Sequence, residues 1–334
     1  LWDHCIEGEH QRSLLAHVER HGDRLRDRYL RWIEELADTD CRGRSLVDKL
    51  ELRNGLSYWW MTRAAERSPW RSDSNATVLR LMALEEMLQE ESPPTVLLVG
   101  ADRPVARAVR GLCLEAGVRF ELGRQLKRSL RVQLRQLKPH PHTIQAIVLF
   151  GQLIWRRWRF RQLGRPTWQS GDNSVFFCSY FVNFDRSAAE VGDFRSTYWG
   201  QVPEVLNESE RGHNWVHLYV GTHNAPDIDE SIDLVERFND EPSRSDTHTF
   251  PEAYLSFGVL VRVLRQWFHL LVCSIRIRPF TGRGARKGDS HWLRHILAKE
   301  FLLSLRGFEA LTNLLSVELF DRIFAEMPTQ ASGY

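Results

Sequence analysis

Residues 93–122 read PPTVLLVGADRPVARAVRGLCLEAGVRFEL, and this stretch decides the fold. Two prolines end the preceding helical pattern, and the apolar run at 95–99 is typical of a short buried strand. A glycine then turns the chain, 103–116 has the spacing of a helix, and a second strand is predicted at 118–122. A strand, a helix and a strand in this order predict a parallel sheet of the Rossmann type, and therefore an α/β fold.

The flanking regions give further secondary-structure signals. Residues 1–92 have apolar side chains at three- and four-residue spacing, separated by charges, which predicts a helical N-terminal region. Later in the chain we predict strands at 174–181 and 215–220, a helix at 230–238, and one or two amphipathic helices over 291–325. The expected domains are the region 1–92 and a Rossmann-like domain over 93–334, with basic amphipathic insertions at 122–171 and 253–288.

Composition restricts the class of protein and its compartment. With 334 residues, a charged fraction of 26% and a net charge of +2, a folded protein large enough for two domains is expected. The five cysteines are scattered without a CxxC pair, which favours reduced thiols in the cytoplasm. No signal peptide and no uninterrupted apolar run of about 18 residues appears, so a bilayer-spanning segment is not expected. No metal site is expected either, on the premise that the sequence holds neither a DxD motif nor a spaced cluster of His and Cys.

Two long segments contain no acidic residue, although 43 of the 334 residues are Asp or Glu. The first, 122–171, holds eleven Lys or Arg residues, and the second, 253–288, holds seven. In the second, Arg262, Arg265, His269 and Arg276 share one helical face amid large apolar side chains. In the first, six basic residues fall within about 100° of arc opposite a row of leucines: Arg124, Lys127, Arg128, Arg131, Arg135 and Lys138.

Three interpretations of these segments are open. An in-plane membrane anchor would place the basic groups at anionic headgroups and the apolar side chains at the acyl boundary. Ordinary surface helices with solvated arginines have the same spacing, and nucleic-acid surfaces also combine basic stripes with aromatic side chains. The apolar runs 146–150 and 270–273 favour the membrane, because nucleic-acid surfaces seldom need them. We therefore expect the six basic residues of the first segment, and Arg262, Arg265 and Arg276 of the second, to contact an anionic membrane rather than nucleic acid.

Aromatic side chains beside charged ones mark a first candidate sugar site at 57–70, SYWWMTRAAERSPW. Trp60, Arg63, Glu66 and Ser68 would supply an aromatic face, a guanidinium, a carboxylate and a hydroxyl. A tryptophan-rich helix packed against a sheet has the same composition. From composition alone, this packing interpretation is favoured over a sugar site.

A second candidate site lies over 172–200, where Asp185 follows a predicted strand. Because α/β proteins place ligand sites at the carboxyl ends of strands, Asp185 is a candidate catalytic carboxylate. The guanidinium of Arg195 could hold a phosphate or a sugar-acid carboxylate, with Tyr198 and Trp199 close by in sequence. His217 lies on the next predicted strand, where a single histidine is more often structural than catalytic.

Three motifs together resemble a known family: YWW…AERSPW at 58–70, SYFVNFD…GDFRSTYWG at 179–200 and NWVHLYV at 214–220. They resemble the surface carbohydrate biosynthesis proteins encoded in O-antigen regions of bacteria, in the same order and over most of the chain. That family is distantly similar to GT-B glycosyltransferases, including enzymes that use CMP-activated sugar acids. The resemblance implies that this chain is the acceptor-side half of such an enzyme and that a C-terminal nucleotide-binding half follows it.

The activity implied by this resemblance is transfer of a sugar from a nucleotide-activated donor to a lipid-linked glycan of the O-antigen or capsule, by a peripheral protein on the cytoplasmic face of the membrane. Asp185 or Glu66 would act as base or nucleophile. The nucleotide sugar would bind the C-terminal half, so no cofactor is expected on this one. The alternative is a noncatalytic scaffold that brings other polysaccharide-assembly enzymes to the membrane. The implied substrate-binding residues are Trp60, Arg63, Ser68, Arg195, Tyr198, Trp199, Trp215 and His217.

Overall fold

A computed structural model describes residues 12–52, 55–66, 72–123, 142–169, 174–207, 212–222, 225–240, 246–277 and 291–327. Over these residues the chain is a mixed α/β protein, predominantly helical, with short parallel sheets, which confirms the predicted α/β class. The following predicted site residues lie outside the described residues: Ser68, Arg124, Lys127, Arg128, Arg131, Arg135 and Lys138.

The helices and strands follow one another in a mixed order. The described strands are β1 (Thr95–Leu98), β2 (Arg119–Leu122), β3 (Val175–Tyr180), β4 (His213–Leu218) and β5 (Asp246–Thr249). The described α-helices are α1 (Leu14–Arg20), α2 (Gly22–Ala37), α3 (Leu46–Lys49), α4 (Asp73–Glu91), α5 (Arg103–Glu115), α6 (His142–Arg157), α7 (Arg186–Glu190), α8 (Val202–Asn207), α9 (Ile228–Asp240), α10 (Phe257–Arg276), α11 (Arg294–Arg306) and α12 (Phe308–Glu326). Short 3-10 helices occur at Tyr58–Met61, Trp158–Leu163, Pro251–Tyr254 and His291–Leu293.

The chain divides into two compact units. The first unit consists of Leu1–Ala146 and Gln266–Ala310, and the second consists of Ile147–Arg265 and Leu311–Tyr334. The first strand pair therefore belongs with the N-terminal helices, whereas β3, β4 and β5 belong to the second unit.

In the first unit, β1 and β2 pair in parallel and α5 connects them. This confirms the strand, helix, strand order predicted for 93–122. Asp102 starts α5 by accepting a hydrogen bond from the amide of Val105 at 3.0 Å. A Cβ on Gly111 would lie 2.8 Å from the Cβ of Trp292, so only glycine lets α5 approach this ring so closely.

In the second unit, three parallel strands form a sheet in the order β3, β4, β5. The central strand β4 is buried along nearly its whole length, as expected for a parallel strand between two neighbours. Two of its strands were predicted, but the polar sequence of β5, DTHT, has no apolar run that would reveal it. The sheet and α9 enclose an aromatic core: Phe160, Phe177, Phe181, Phe184, Phe194, Trp215, Phe238 and Phe250.

Two predicted helical regions form much as expected. The region 291–325 forms two helices, α11 and α12, which are separated by Gly307. The second acid-free segment contains α10, which is 20 residues long. One face of α10 is buried, and its members recur at three- and four-residue spacing: Val259, Val263, Trp267, Leu270 and Ser274.

Candidate functional site

The tryptophan-rich segment of the first unit forms the 3-10 turn Tyr58–Met61, which points successive aromatic rings in different directions. Tyr58 and Trp59 are fully buried, and the ring of Trp59 lies 5.9 Å from that of Phe301. Trp60 points outward and is 54% exposed. The packing interpretation therefore accounts for two of the three aromatic residues of this turn, and among the described residues of the segment, 57–66, Trp60 alone offers a ring face to a ligand.

The charged residues of this segment already have partners within the first unit. The Nε of Arg63 donates to a carboxylate oxygen of Glu309 at 2.7 Å, and its backbone amide donates to the hydroxyl of Ser304 at 2.9 Å. An anionic ligand at Arg63 would therefore compete with Glu309. The backbone carbonyl of Glu66 accepts from the side-chain amide of Asn75 at 2.7 Å.

In the second unit, Asp185 lies just before α7 and caps its N-terminus. Its Oδ1 accepts from the Ser187 hydroxyl at 2.6 Å, the Ser187 amide at 2.9 Å and the Ala188 amide at 3.3 Å. The Ser187 hydroxyl, followed by these two amides, holds the pKa of Asp185 below its usual range. A carboxylate with these bonds is a poor proton acceptor, so its position indicates a structural role.

Arg195, Tyr198 and Trp199 follow the Asp185 turn. The amide of Asp185 donates to the carbonyl of Arg195 at 2.9 Å, so the two residues lie side by side, as the sequence predicted for one site. The guanidinium of Arg195 is paired with Asp193 at 2.8 Å. Tyr198 is exposed, whereas Trp199 is half-buried with its ring 5.3 Å from that of Phe177.

Trp215 and His217 lie inside the core, although the resemblance implied that they bind substrate. Trp215 is 1% exposed, and its ring stacks on Phe177 at 4.3 Å. The Nε2 of His217 shares a hydrogen bond with the Nδ1 of His248 at 3.0 Å, and the two rings are stacked. Burial lowers the pKa of His217 to about 3, so the imidazole is neutral in the folded protein. Both residues act as packing groups in this conformation.

Only part of the predicted site is therefore assembled. Asp185 and Arg195 are neighbours, and the ring of Phe194 contacts both Trp215 and His217 beneath them. Trp60, Arg63 and Glu66 belong to the first unit, so the two candidate carboxylates lie in different units.

A buried ion pair lies at the carboxyl edge of the second sheet and joins two residues that the sequence did not connect. Arg157 ends α6, and its guanidinium is hydrogen-bonded to Oε1 of Glu252 and donates to the carbonyl of Tyr219 at 3.1 Å. Glu252 lies just after β5, and its side chain is 5% exposed. Burial raises the pKa of Glu252 above its usual range, although Arg157 opposes the shift.

In this ion pair, two hydrogen bonds hold the guanidinium of Arg157, whereas only one oxygen of the Glu252 carboxylate is engaged. Among the described residues, Oε2 of Glu252 has no hydrogen-bond partner. The free acceptor position of this oxygen is buried, so no ligand hydroxyl reaches it in this conformation. One sequence signal could have drawn attention to Glu252, which is the last acid before the acid-free segment 253–288.

The outer face of α10, which lies in the second acid-free segment, is exposed to solvent. It carries five exposed apolar side chains, at heptad-like spacing: Phe257, Val261, Leu264, Phe268 and Ile275. Arg265, His269 and Arg276 are also exposed and lie along one edge of this stripe. Arg262 points the other way, and its guanidinium pairs with the buried carboxylate of Glu318. It was predicted to contact the membrane, but here it helps to hold α10 on the protein.

By length and composition, α10 could also cross a bilayer, with a mean hydropathy of 1.3 over its most apolar window. It is the one such helix within the described ranges. No such segment was expected from the sequence, because Arg262 and Arg265 interrupt the apolar run. These two charges do not lower the mean hydropathy of the helix below the value typical of a membrane span.

Acidic residues in the described ranges form no cluster suited to a metal ion. Two Asp-x-Asp triplets do occur, at 38–40 and 227–229, so the premise that the sequence holds no DxD motif is wrong. In the second, Asp227 caps α9 by accepting from the amide of Glu230, and Asp229 pairs with Arg159. These contacts give the second triplet a structural role.

Comparisons with known proteins found no matching family model, no matching curated protein and no matching solved structure.

Proposed function

We propose that this protein binds the surface of an anionic membrane through the outer face of α10. The observation that carries the proposal is the exposed apolar stripe with basic side chains along one edge. Burying one such side chain contributes about 1.5–3 kcal/mol relative to leaving it in water. Each Lys or Arg near an anionic surface adds about 1 kcal/mol, so Arg265 and Arg276 reinforce the apolar contact.

The contacts of α10 favour a helix that lies in the plane of the membrane. Its inner face is buried along Val259, Val263 and Trp267, and the Arg262–Glu318 pair is nearly inaccessible at the carboxylate. Crossing the bilayer would expose this inner face and separate the pair, which costs several kcal/mol. Lying in the plane uses the face that is already exposed and leaves the packing unchanged.

Flotation with liposomes tests this proposal. Val261→Asp combined with Phe268→Asp is expected to lower binding to vesicles containing phosphatidylglycerol at least about tenfold, because each carboxylate must enter the apolar boundary. Two strongly exposed apolar residues on other helices or turns, Leu114 and Val191, provide matched controls. Leu114→Asp and Val191→Asp should float like the wild type. Equal flotation of the α10 variant and the controls would refute the proposal.

Charge dependence separates a membrane from nucleic acid. Arg265→Gln with Arg276→Gln is expected to weaken binding to anionic vesicles roughly thirtyfold and to leave binding to neutral vesicles unchanged. Retention of the wild type on DNA or RNA at about 0.2 M salt, without vesicle binding, would favour the nucleic-acid interpretation instead.

We further propose that the membrane-bound protein is a glycosyltransferase-type enzyme with Rossmann-like, GT-B-like halves that acts on a lipid-linked glycan. Lipid-linked acceptors stay at the bilayer surface, which gives a transferase a reason to lie there. Exposed Trp60 in the first unit and exposed Tyr198 in the second each supply an aromatic face of the kind that stacks on sugars. The donor would be a nucleotide-activated sugar bound by a following half, and a noncatalytic scaffold is the alternative.

A pair of substitutions at Asp185 distinguishes catalysis from capping. Asp185→Asn keeps an N-cap oxygen but removes the charge, whereas Asp185→Ala removes both. If Asp185 only caps α7, sugar transfer by the protein to a membrane-embedded acceptor should survive in Asp185→Asn and fall only in Asp185→Ala. Loss of transfer in both variants, at unchanged thermal stability of Asp185→Asn, would assign the carboxylate to catalysis.

A further inference from the structure

Helix α6 has a second apolar face that the described part of the chain leaves exposed. Trp155 is 78% exposed, and three aliphatic side chains on the same face are at least half exposed: Ile144, Ile147 and Val148. These positions, with Gly151 between them, fall within about 100° of arc. The opposite face packs inward through Ala146, Phe150 and Ile154.

The composition of α6 differs from that of α10 in one respect. From residue 142 to residue 155 there is no Asp, Glu, Lys or Arg, whereas α10 carries basic side chains along its stripe. Guanidinium groups appear only at the C-terminal end of α6 and in the turn that follows, where Arg156, Arg159 and Arg161 are exposed. A face without charge, ending in Trp and Arg, matches a segment that enters the acyl region and stops at the headgroups.

The exposed faces of α6 and α10 meet at one aromatic contact within the second unit. The ring of Trp158, just after α6, lies 5.3 Å from that of Phe257, the first residue of α10. Arg161 lies over the Trp158 ring at 4.5 Å, so a cation sits beside this aromatic contact. The end of the α6 face is therefore continuous with the start of the α10 face.

We propose that α6 is a second insertion element that enters the acyl region of the same bilayer that α10 contacts. This inference rests on the proposed membrane binding and adds a division of roles, in which α10 binds through charge and apolar contact and α6 binds through apolar contact alone. A second copy of this chain is a less suitable occupant. In a dimer, the acid-free, basic segments of one copy would lie against the same segments of the other, and like charges would repel. An anionic membrane instead complements that charge.

A salt series in the flotation assay tests the division of roles. At about 0.5 M salt, the charge contribution is largely screened, so the remaining binding should come from the apolar contacts of α6 and α10. Ile147→Asp with Val148→Asp should lower this salt-resistant binding at least about tenfold, whereas Arg265→Gln with Arg276→Gln should affect binding mainly at low salt. Gln145→Asp with Gln152→Asp adds the same charge to the polar edge of α6 and should retain the salt-resistant binding.

Quenching by brominated lipids gives a second measurement that does not depend on affinity. Bromine placed high on the acyl chains, next to the headgroups, should quench part of the tryptophan fluorescence of the bound wild type, and Trp155→Phe should lose that part. If the wild type binds no vesicle, membrane binding itself fails. If it binds but the α6 variant binds equally at every salt concentration, or Trp155→Phe is quenched like the wild type, only the α6 inference fails. A lipid-free dimer that Ile147→Asp with Val148→Asp converts to monomer would assign the face to a second copy.

Discussion

Arg157→Met is expected to lower the free energy of unfolding by about 3–5 kcal/mol, because it leaves the Glu252 carboxylate buried without its cation. The side chain of Glu252 is 5% exposed, so water cannot replace the guanidinium. Arg157 also donates to the carbonyl of Tyr219, and this acceptor would lose its bond as well. Urea denaturation followed by circular dichroism measures the effect.

A neighbouring arginine provides the matched control for this prediction. Arg159 pairs with Asp229, but both side chains are more than half exposed, so Arg159→Met should cost less than about 1 kcal/mol. The double variant Arg157→Met with Glu252→Met should recover most of the lost stability, since no buried charge remains. If Arg157→Met is no more harmful than Arg159→Met, the pair does not hold the carboxyl edge of the sheet together.

The pH dependence of this variant has a definite sign. Burial raises the pKa of Glu252 in the folded protein above its unfolded value, so ionisation of Glu252 costs stability as the pH rises through that folded pKa. Without Arg157 this cost grows. Arg157→Met should therefore be more destabilising at pH 8 than at pH 5, and a cost that stays constant with pH would contradict an ionised Glu252.

His217 is expected to make the protein acid-sensitive. Its pKa of about 3 in the folded protein lies below the ordinary value of 6.5, so the unfolded chain binds a proton that the folded chain excludes. The stabilisation is present above pH 6.5 and is lost as the pH falls towards about 3. Between about pH 6.5 and 4.5, His217 alone should remove about 2 kcal/mol of the free energy of unfolding.

Comparison of two histidine variants isolates this contribution. His217→Gln has no proton to gain, so its free energy of unfolding should fall less steeply with acid than that of the wild type, even though its stability at pH 7 is lower. His269→Gln changes an exposed histidine on α10 and should keep the slope of the wild type. Equal slopes for His217→Gln and the wild type would mean that the His217 pKa is not lowered in the folded protein.

Local patterns were sufficient to predict the elements whose side chains follow a simple period. The run at 95–99, the glycines around 103–116 and the second strand at 118–122 identified a parallel pair, because apolar spacing and helix ends are encoded within a few residues. The same reasoning located the strands at 174–181 and 215–220 and the helices over 291–325. It missed β5, because a polar strand is recognised only through the neighbours that bury it.

The candidate site depended far more on tertiary structure. Arg157 and Glu252 are 95 positions apart and have nothing in common as a motif, yet they form a buried pair at the edge of the sheet. Trp215 and His217 have side chains of the kind found in sugar-binding sites, but both lie in the core. They are buried because β4 is the central strand and its side chains on both faces are covered. Burial is set by every element packed around a residue, and no local window contains that information.

In helix α10, too, the local sequence does not reveal which side chains are buried. By itself, the sequence determined that 253–288 is free of acid and that its basic side chains share a helical face, since spacing along a helix is a local property. Only the tertiary structure decided which face is free. Packing turns Arg262 inward to Glu318 and leaves Val261 and Phe268 in solvent, because the buried stripe must meet the rest of the protein. An apolar face becomes a binding surface only when the fold leaves it uncovered.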